Sequence, residues 1–275
     1  YLRVGTTYFK KSLYPTLSGD RIEILLPWSP ELIRQDHGKN ALSLVEIFDG
    51  FICFPENRLE FYLKNHQGYY NTYHSLSKNP IEGDITNTKK FITHIFGEQT
   101  EIGFDYLQLL YLKPTQILPI LCLVSKERAT GKSTFLKWLK EIFEYNLTYL
   151  TNDSFSSNFN ADWASKLLIC IDEVLFQTEI LTERIKYLST TNVNKIEAKG
   201  KDRKEIEFFG KFILCSNNET SFIKIDADEI RFWVRKIDSY EKEDVHFLSK
   251  LIKEIPAFLY FLSKRQLSTE NKSRM

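Results

Sequence analysis

The sequence lacks long hydrophobic runs, and it lacks an excess of either charge. Its longest apolar stretches, such as 117–124 and 167–171, are far shorter than the roughly 20 residues that a membrane helix needs. No basic-then-apolar leader opens the chain, so no membrane role is indicated. A net charge of +1 argues neither for nor against nucleic acid, because binding depends on local patches. With 43% hydrophobic residues among 275, the composition predicts a soluble globular protein of one large or two small domains.

Cysteine is also scarce. The four cysteines, Cys53, Cys122, Cys170 and Cys215, are scattered, and three of them lie inside apolar, strand-like runs. A buried thiol behaves there as a small hydrophobic side chain, and no cysteine stands at zinc-ligand spacing from a histidine. We therefore expect free thiols in a reducing cytoplasm and no metal held by cysteine.

The first 88 residues differ in pattern from the rest of the chain. Short apolar runs at 22–26, 42–48 and 51–54 are interrupted by prolines and turn formers, which predicts a small α+β unit. The polar stretch 75–90 has the composition of a linker. We place a small accessory domain at 1–88 and a larger domain at 89–275. Because the sequence opens with Tyr1 rather than methionine, we expect it to begin inside a longer polypeptide.

After Lys89 the hydrophobic spacing is first helical and then changes to that of buried strands. Apolar residues at helical spacing predict one helix around residues 91–96 and another from about Thr100 to Tyr111. The run 117–124 is typical of a strand that is buried on both faces of a parallel sheet. Further predicted elements are a helix at 133–143, strands at 166–171, 211–215 and 232–237, a hairpin of 187–199 with 204–209, and a helix at about 243–263.

The loop between the first buried strand and the next helix has the pattern of a phosphate-binding P-loop. Backbone N–H groups of such a loop, together with the positive end of the helix dipole, bind the phosphates of a nucleotide. We predict that Lys132 reaches the β and γ phosphate oxygens of ATP and that the Ser133 hydroxyl binds Mg²⁺. Lys126 stands where the motif usually has its first glycine, so the match covers its second half. The predicted nucleotide-binding residues are Ala129, Thr130, Gly131, Lys132, Ser133 and Thr134.

Two acidic residues, Asp172 and Glu173, follow directly after the buried strand that ends at Ile171. Ligands of open α/β folds bind at the carboxyl ends of the strands, which is where this pair is expected to lie. Asp172 is predicted to hold the Mg²⁺ shell, and Glu173 to orient and deprotonate the attacking water. An acidic pair that only caps a strand end is the alternative.

Two further polar residues flank predicted strands. Asn217 follows the strand at 211–215, where its amide can contact the attacking water or the γ-phosphate. Arg231 precedes the strand at 232–237 and is a candidate for a cationic finger that a subunit donates to its neighbour's nucleotide. The alternatives are an ordinary turn for Asn217 and a surface salt bridge for Arg231.

A basic segment lies between the second and third predicted strands. Residues 195–204 carry five cations and two anions at what is predicted to be a hairpin tip. Clustered cations on a protruding loop suit contacts with a phosphate backbone, and Lys199 and Lys201 are the candidates for DNA binding. A solvated charged turn is the alternative.

Together these segments resemble the helicase domain of superfamily 3, the AAA+ helicases of small DNA viruses, phages and mobile elements. The resemblance spans about residues 91–237. The sequences of segments such as 94–98 and 123–127 resemble, more narrowly, those of the primase-helicase proteins of phages and integrated elements. The four segments that carry the resemblance are Thr130-Gly131-Lys132-Ser133-Thr134, Ile171-Asp172-Glu173, Lys199-Gly200-Lys201 and Cys215-Ser216-Asn217.

The resemblance implies an AAA+ P-loop core, in which a mainly parallel central sheet is flanked by helices, with ATP and Mg²⁺ as ligands. It also implies that Arg231 is the arginine finger, that Asn217 is the polar sensor, and that Lys199 and Lys201 contact single-stranded DNA. Members usually form hexameric rings and are often fused to a primase domain, which we expect upstream. The expected function is that of an ATP-dependent DNA helicase module replicating a phage or mobile element in the cytoplasm of a bacterial or phage-infected cell.

Two other functions stay open on the sequence. The first is a P-loop ATPase switch without helicase activity, in which the basic hairpin binds a protein partner. The second is a scaffold that never hydrolyses nucleotide and stacks bases on aromatic side chains of the N-terminal region. The aromatic residues considered for that stacking are Phe61, Tyr62, Tyr69, Tyr70 and Tyr73.

Overall fold

The chain folds as two compact units. The computed structural model describes residues 1–15, 21–157, 160–174, 178–197, 204–223, 228–240 and 244–269. The first unit comprises residues 1–54 and 62–74, and the second comprises residues 55–61 and 75–275. Residues 75–88 thus fold with the second unit, and the predicted division at residue 88 stays a prediction.

The first unit has the α+β character predicted for it, with two small sheets and one helix. β1 pairs antiparallel with β2 and parallel with β4, and the hairpin of β2 and β3 completes a four-stranded sheet in the order β3-β2-β1-β4. A three-stranded sheet has the order β5-β7-β6. The elements are β1 (Leu2–Val4), β2 (Thr7–Pro15), β3 (Arg21–Trp28), α1 (Pro30–His37), a 3-10 turn (Ala41–Leu44), β4 (Glu46–Phe48), β5 (Gly50–Ile52), β6 (Asn65–His66) and β7 (Tyr69–Asn71).

The core of the first unit uses aromatic side chains that the base-stacking hypothesis needs at the surface. Leu2 and Phe48 pack against Tyr70 on one side of the four-stranded sheet. Tyr70 and Tyr73 are each only 1% exposed, and Tyr62 donates a hydrogen bond of 2.7 Å to the Tyr73 carbonyl. The hypothesis that bases stack on Tyr70 or Tyr73 is therefore wrong, because both rings are buried in the core.

The second unit places helices around a central sheet. Its helices are α2 (Thr86–Phe96), α3 (Thr100–Leu112), α4 (Lys132–Phe143), α5 (Asn152–Ser156), α6 (Glu179–Leu188) and α7 (Phe247–Lys264), with 3-10 turns at Gly97–Gln99 and Glu144–Asn146. Its strands are β8 (Ile120–Val124), β9 (Leu147–Leu150), β10 (Leu168–Ile171), β11 (Val193–Ile196), β12 (Lys204–Glu207), β13 (Lys211–Ser216) and β14 (Phe232–Lys236). No helix in the described ranges is long and apolar enough to cross a bilayer.

The central sheet contains five parallel strands in the order β14-β8-β13-β10-β9. Every residue of β8, β10 and β13 is buried, as their continuous apolar runs predict. The four predicted strands correspond to β14, β8, β13 and β10 and are confirmed. β9 was not predicted, because its four residues, Leu147–Leu150, are too few to show a clear hydrophobic pattern.

The predicted hairpin exists, but its first strand begins later than the alternation indicated. Tyr187 belongs to α6 and is 61% exposed, whereas Ile185 and Leu188 of the same helix are buried. The hairpin consists of β11 and β12, which pair antiparallel from Val193 opposite Glu207 to Ile196 opposite Lys204. The helical stripe of α6 was mistaken for strand alternation because only a few residues separate the two elements.

Helix α2 lies beside the predicted phosphate loop, and α7 fixes its amino end. The side chain of Ile85, the residue before α2, gives no cap. Instead the Glu254 carboxylate of α7 accepts hydrogen bonds from the backbone N–H of Asn87 at 3.2 Å and of Thr88 at 2.7 Å. A carboxylate at a helix amino end satisfies free N–H groups and interacts favourably with the helix dipole.

Candidate nucleotide site

Three strand ends meet at the carboxyl edge of the central sheet and are joined by backbone hydrogen bonds. The Ser125 N–H, just after β8, donates to the Ser216 carbonyl at the end of β13 at 3.2 Å. The Val174 N–H, just after β10, donates to the Cys215 carbonyl at 2.8 Å. The three loops that follow β8, β10 and β13 are therefore held in one place, although they are far apart in sequence.

The loop between β8 and α4 has the backbone of a tight turn. Gly131 has φ 89° and precedes the first residue of α4, and Ala129 has φ 55°. A Cβ atom on Gly131 would lie 3.1 Å from the Phe91 ring of α2, so glycine permits both the left-handed conformation and the close packing. The His94 ring, also in α2, forms a hydrogen bond of 2.9 Å between Nε2 and the Thr130 carbonyl. Helix α2 thus supports the loop from below.

Lys132 is a buried cation beside this loop. Its residue is 7% exposed, and its Nζ donates hydrogen bonds to the Ser125 hydroxyl and, at 3.2 Å, to the Thr130 hydroxyl. Burial lowers the pKa of Lys132, and the more distant charge of Asp172 partly opposes this effect. Since no carboxylate in the described parts of the chain lies within ion-pair distance of Nζ, an anion such as phosphate would stabilise the charged form.

Ser133 and Asp172 provide two neighbouring oxygen ligands that fit Mg²⁺. The Ser133 hydroxyl donates to Asp172 Oδ2 at 3.3 Å, which joins the first turn of α4 to the end of β10. Mg²⁺ in proteins is commonly held by one or two such oxygens together with water and substrate phosphates. The pair has the chemistry of that partial ligand set, and both residues are at the position predicted for them.

Glu173 has an unusual backbone conformation next to Asp172. Its φ is 57°, which non-glycine residues rarely adopt, and its N–H donates to Asp172 Oδ1 at 3.1 Å. Its carbonyl accepts a hydrogen bond of 3.2 Å from Asn152 Nδ2. This turn leaves the Glu173 side chain exposed at the edge of the sheet rather than directed into the core.

Most of the predicted site residues line one cleft of ≈ 350 Å³. Asn217 belongs to this cleft, whereas Asn218 forms the turn, since its Oδ1 accepts the Thr220 N–H at 3.1 Å and the Ser221 N–H at 2.9 Å. Asn218 thus makes turn contacts, and the role predicted for Asn217 stays a prediction. The lining residues are Arg128, Ala129, Thr130, Gly131, Lys132, Ser133, Thr134, Asp172, Glu173 and Asn217.

Arg231 lies away from this cleft. It directly precedes β14, and its carbonyl accepts the Ile120 N–H at the start of β8, so it is near the amino edge of the sheet. A strand of this length separates the two edges by roughly 15 Å. Arg231 Nη1 forms a salt bridge of 2.7 Å with Glu229, which is also 3.5 Å from Lys186. The two predicted DNA-binding residues, Lys199 and Lys201, lie outside the described residues.

A second cleft of ≈ 350 Å³, which we call the aromatic cleft, lies on the other side of the loop and was not predicted. It shares Ala129, Gly131 and Thr134 with the first cleft, and its other walls include Phe91, Tyr240 and Phe247. The Tyr240 and Phe247 ring centroids are 5.3 Å apart, as are those of Phe91 and Phe247. Rings next to a phosphate loop suit the base of a nucleotide.

The residues of the aromatic cleft come from α2, from the segment after β14 and from α7. Phe91 was recognised only as part of a helical stripe, and Tyr240 lies in a polar segment that resembles a surface loop. The Tyr240 N–H donates to the Ala129 carbonyl at 3.4 Å, and the Tyr240 ring lies edge-on to His94 with centroids 4.7 Å apart. These contacts depend on the tertiary fold, and no local pattern encodes them.

Comparisons with known proteins bear on the fold. Residues 123–235 match the profile of a family described as a family of unknown function, DUF5906. No curated protein is significantly similar in sequence. Among solved structures, the apo structure of the C-terminal region of NrS-1, residues 305–718, superposes with a TM-score of 0.71 and 18% identity, covering 89% of this chain and 63% of that one.

Two further solved structures extend this comparison. The A form apo structure of the same NrS-1 region has a TM-score of 0.68 at 18% identity, with 89% and 63% of the two chains covered. A JCV helicase bound to a small molecule has a TM-score of 0.42 at 10% identity, covering 67% and 56%, which is too low to indicate a shared fold. The present chain spans less than two thirds of the NrS-1 region. It has the fold of that region: a five-stranded parallel sheet flanked by helices, preceded in the chain by a small α+β unit.

Proposed function

We propose that the chain is an ATP-dependent DNA helicase module that translocates on single-stranded DNA during the replication of a phage or mobile element. The observation that carries the proposal is the convergence of Lys132, the Ser133–Asp172 pair and Glu173 on one cleft at the carboxyl edge of a parallel sheet. These are the groups that hydrolysis of a nucleoside triphosphate requires, and they come from two separate loops.

In this proposal the loop residues bind the triphosphate. The amino end of α4 and the backbone N–H groups around Gly131 face the cleft and hold phosphate oxygens. Lys132 pairs with the β and γ phosphates, whose negative charge stabilises the ammonium and offsets the cost of its burial. Ser133 and Asp172 hold Mg²⁺, which when bound neutralises charge on the phosphates.

Glu173 and Asn217 act on the attacking water. Glu173 is exposed in the cleft, one residue beyond Asp172, where a carboxylate can orient a water and accept its proton. Asn217 lies at the end of the neighbouring strand and can donate its amide to the γ-phosphate or to that water. The adenine base occupies the aromatic cleft, against the half-buried rings of Tyr240 and Phe247.

Arg231 completes the site of a neighbouring subunit in a ring, which we propose to be hexameric. Its position at the amino edge, roughly 15 Å from its own cleft, supports an action in trans. The basic hairpin of β11 and β12 then contacts single-stranded DNA through Lys199 and Lys201. A primase domain upstream in the longer polypeptide and a location in the bacterial or phage-infected cytoplasm belong to the same proposal.

The test is the dependence of ATP hydrolysis on DNA. We expect single-stranded DNA to stimulate ATP hydrolysis and the chain to unwind a forked duplex. The double variant Lys199→Ala, Lys201→Ala should keep the DNA-free rate and lose both effects. The matched control is Lys113→Ala with Lys253→Ala, two exposed lysines of the second unit. Hydrolysis that no DNA stimulates, without unwinding, would contradict the helicase proposal and favour the P-loop ATPase switch.

A further inference from the structure

The four-stranded sheet of the first unit has one face on the core and one face that is not part of it. Leu2, Phe9 and Leu25 belong to the core cluster. Leu2 is directly opposite Phe9 in the β1–β2 pair, and the register of the β2–β3 pair places Leu25 on the same side. Because side chains alternate along a strand, the intervening residues point to the opposite side. We call that side the outer face, and its defining residues are Arg3, Tyr8, Lys10, Tyr14, Trp28 and Ile47.

The carboxylates of the described strands lie on one side of this sheet, whereas cations lie on both sides. Arg3 and Lys10 are on the outer face, whereas the strand carboxylates Glu23 and Glu46 are in register with Leu13 and Leu2 on the core side. Glu23 accepts a hydrogen bond of 2.9 Å from the Tyr70 hydroxyl there. The described strand residues of the outer face therefore include cations but no carboxylate, and the face is complementary to a polyanion.

Aromatic rings alternate with these cations. Tyr8 is directly opposite Trp28 across the β2–β3 pair, and Lys10 Nζ lies 4.6 Å from the Trp28 ring centroid. The Arg3 guanidinium lies 6.0 Å from the Tyr8 ring centroid. A cation above a ring keeps N–H donors for a second partner. Arg3 Nε is buried, so the donors of that side chain that can reach a phosphate are its Nη groups.

The exposed residues of the outer face are apolar or aromatic. Tyr14 is 57% exposed, Ile47 is 55% exposed, and Leu26, which pairs with Lys10, is 38% exposed. Rings and apolar groups on a sheet face can contact a base only when that base is unpaired and unstacked from its own strand. The ligand class that matches both the charge and the rings is therefore a single strand rather than a duplex.

We propose that the outer face binds single-stranded DNA, with bases stacked on Tyr8, Tyr14 and Trp28 and phosphates paired with Arg3 and Lys10. This contact is separate from the basic hairpin of the second unit. It does not depend on the proposed helicase function, because a P-loop switch that senses DNA can use the same face. It replaces the stacking on Tyr70 and Tyr73, which are core residues.

The test compares two adjacent lysines on opposite sides of β2. Binding of a fluorescein-labelled oligothymidine to the nucleotide-free chain is measured by anisotropy for Lys10→Glu and for Lys11→Glu, which change the charge equally. Lys11 lies on the core side, 5.5 Å from the Tyr70 ring centroid. We expect Lys10→Glu to weaken binding about tenfold and Lys11→Glu to change it little. Tyr14→Ala should weaken binding by a similar factor with a smaller change in salt dependence.

Circular dichroism spectra of the variants establish that they are folded. The proposal is overturned if Lys10→Glu and Tyr14→Ala bind DNA as tightly as the wild type, or if Lys11→Glu loses as much affinity as Lys10→Glu. A change in particle mass without a change in DNA affinity also overturns it, and identifies the outer face as a contact between copies. ATP hydrolysis without DNA is recorded in parallel. Its absence in the wild type would count against the proposed function and leave the lysine comparison intact.

Discussion

The two edges of the central sheet each bury a lysine, and the two lysines are held by different groups. Lys132 at the carboxyl edge is 7% exposed, and Lys211 at the amino edge is 4% exposed. Lys132 donates to the hydroxyls of Ser125 and Thr130, which can rotate when a ligand arrives. Lys211 donates instead to two backbone carbonyls, those of Pro114 and, at 2.6 Å, of Phe209, which are fixed by the fold.

The two lysines also differ in the volume of the space beside them. Lys132 lines a cleft of ≈ 350 Å³, whereas the cavity beside Lys211 measures ≈ 10 Å³ and holds no ligand larger than water. Burial lowers the pKa of both lysines, and lowers that of Lys211 to about 7. A lowered lysine pKa therefore does not identify a functional site. The adjacent open cleft and the rotatable partners make Lys132 the candidate for binding, and Lys211 a support of the fold.

The largest effect on ATP hydrolysis is expected from Arg231, which in the proposed ring joins the amino edge of one subunit to the cleft of its neighbour. Arg231→Ala should lower kcat for ATP hydrolysis by at least about 10³-fold, because a finger that neutralises transition-state charge contributes that much or more. Mixing Arg231→Ala subunits with Lys132→Ala subunits should restore part of the activity at interfaces that pair an intact cleft with an intact Arg231. Full activity of Arg231→Ala alone, or mixtures that never recover, would show that the amino edge takes no part in hydrolysis.

Glu173 tests the chemistry of the carboxyl edge alone. Glu173→Gln removes the proton acceptor but keeps the shape of the side chain, so kcat should fall by about 10²- to 10⁴-fold while the affinity for Mg-ATP is kept. Single-turnover hydrolysis and equilibrium binding separate the two quantities. The control is Glu179→Gln, an exposed glutamate in the first turn of α6, which should hydrolyse ATP at the wild-type rate. Equal rates for the two variants would exclude Glu173 as the base.

The sequence predicted the carboxyl edge far better than it predicted the aromatic cleft. Lys132 and Ser133 are adjacent, and Asp172 with Glu173 ends a continuous apolar strand, so each pair is visible in a short window. Tyr240 and Phe91 line one cleft only because α2 and the segment after β14 pack on the same loop. Burial of Lys211 was likewise not predicted, since a lysine that opens a strand resembles any exposed strand end.

Lys132 should dominate the affinity for nucleotide. Lys132→Met keeps the aliphatic stem and removes the charge, and we expect Mg-ATP affinity to fall by about 10- to 100-fold, the effect of losing charge-assisted hydrogen bonds to phosphate. Lys211→Met removes the same charge at the other edge and should leave that affinity unchanged. Isothermal titration of both variants checks this, and a similar loss for the two would contradict the distinction between the edges.

A substitution of Tyr240 tests the aromatic cleft separately from the cleft that holds Lys132 and Asp172. Tyr240→Ala should weaken Mg-ATP binding by about tenfold through lost stacking, and leave the affinity for inorganic tripolyphosphate unchanged. Tyr260→Ala, in α7 and away from both sets of lining residues, is the matched control. If Tyr240→Ala weakens tripolyphosphate as much as ATP, the aromatic cleft acts on the loop and not on the base.

The smallest effect is expected for Lys211, and it concerns the pH dependence of the free energy of unfolding. Its pKa is lowered from 10.5 in the unfolded chain to about 7 when folded, so above pH 7 the unfolded state binds more protons than the folded state. Stability must then rise with pH in that window, by up to about 1.4 kcal/mol per pH unit. Urea unfolding at pH 7 and pH 8.5 should show this rise for the wild type relative to Lys211→Met, which lacks the titrating group. Parallel pH dependences would mean that the Lys211 ammonium keeps its ordinary pKa, and that two carbonyls offset the cost of its burial.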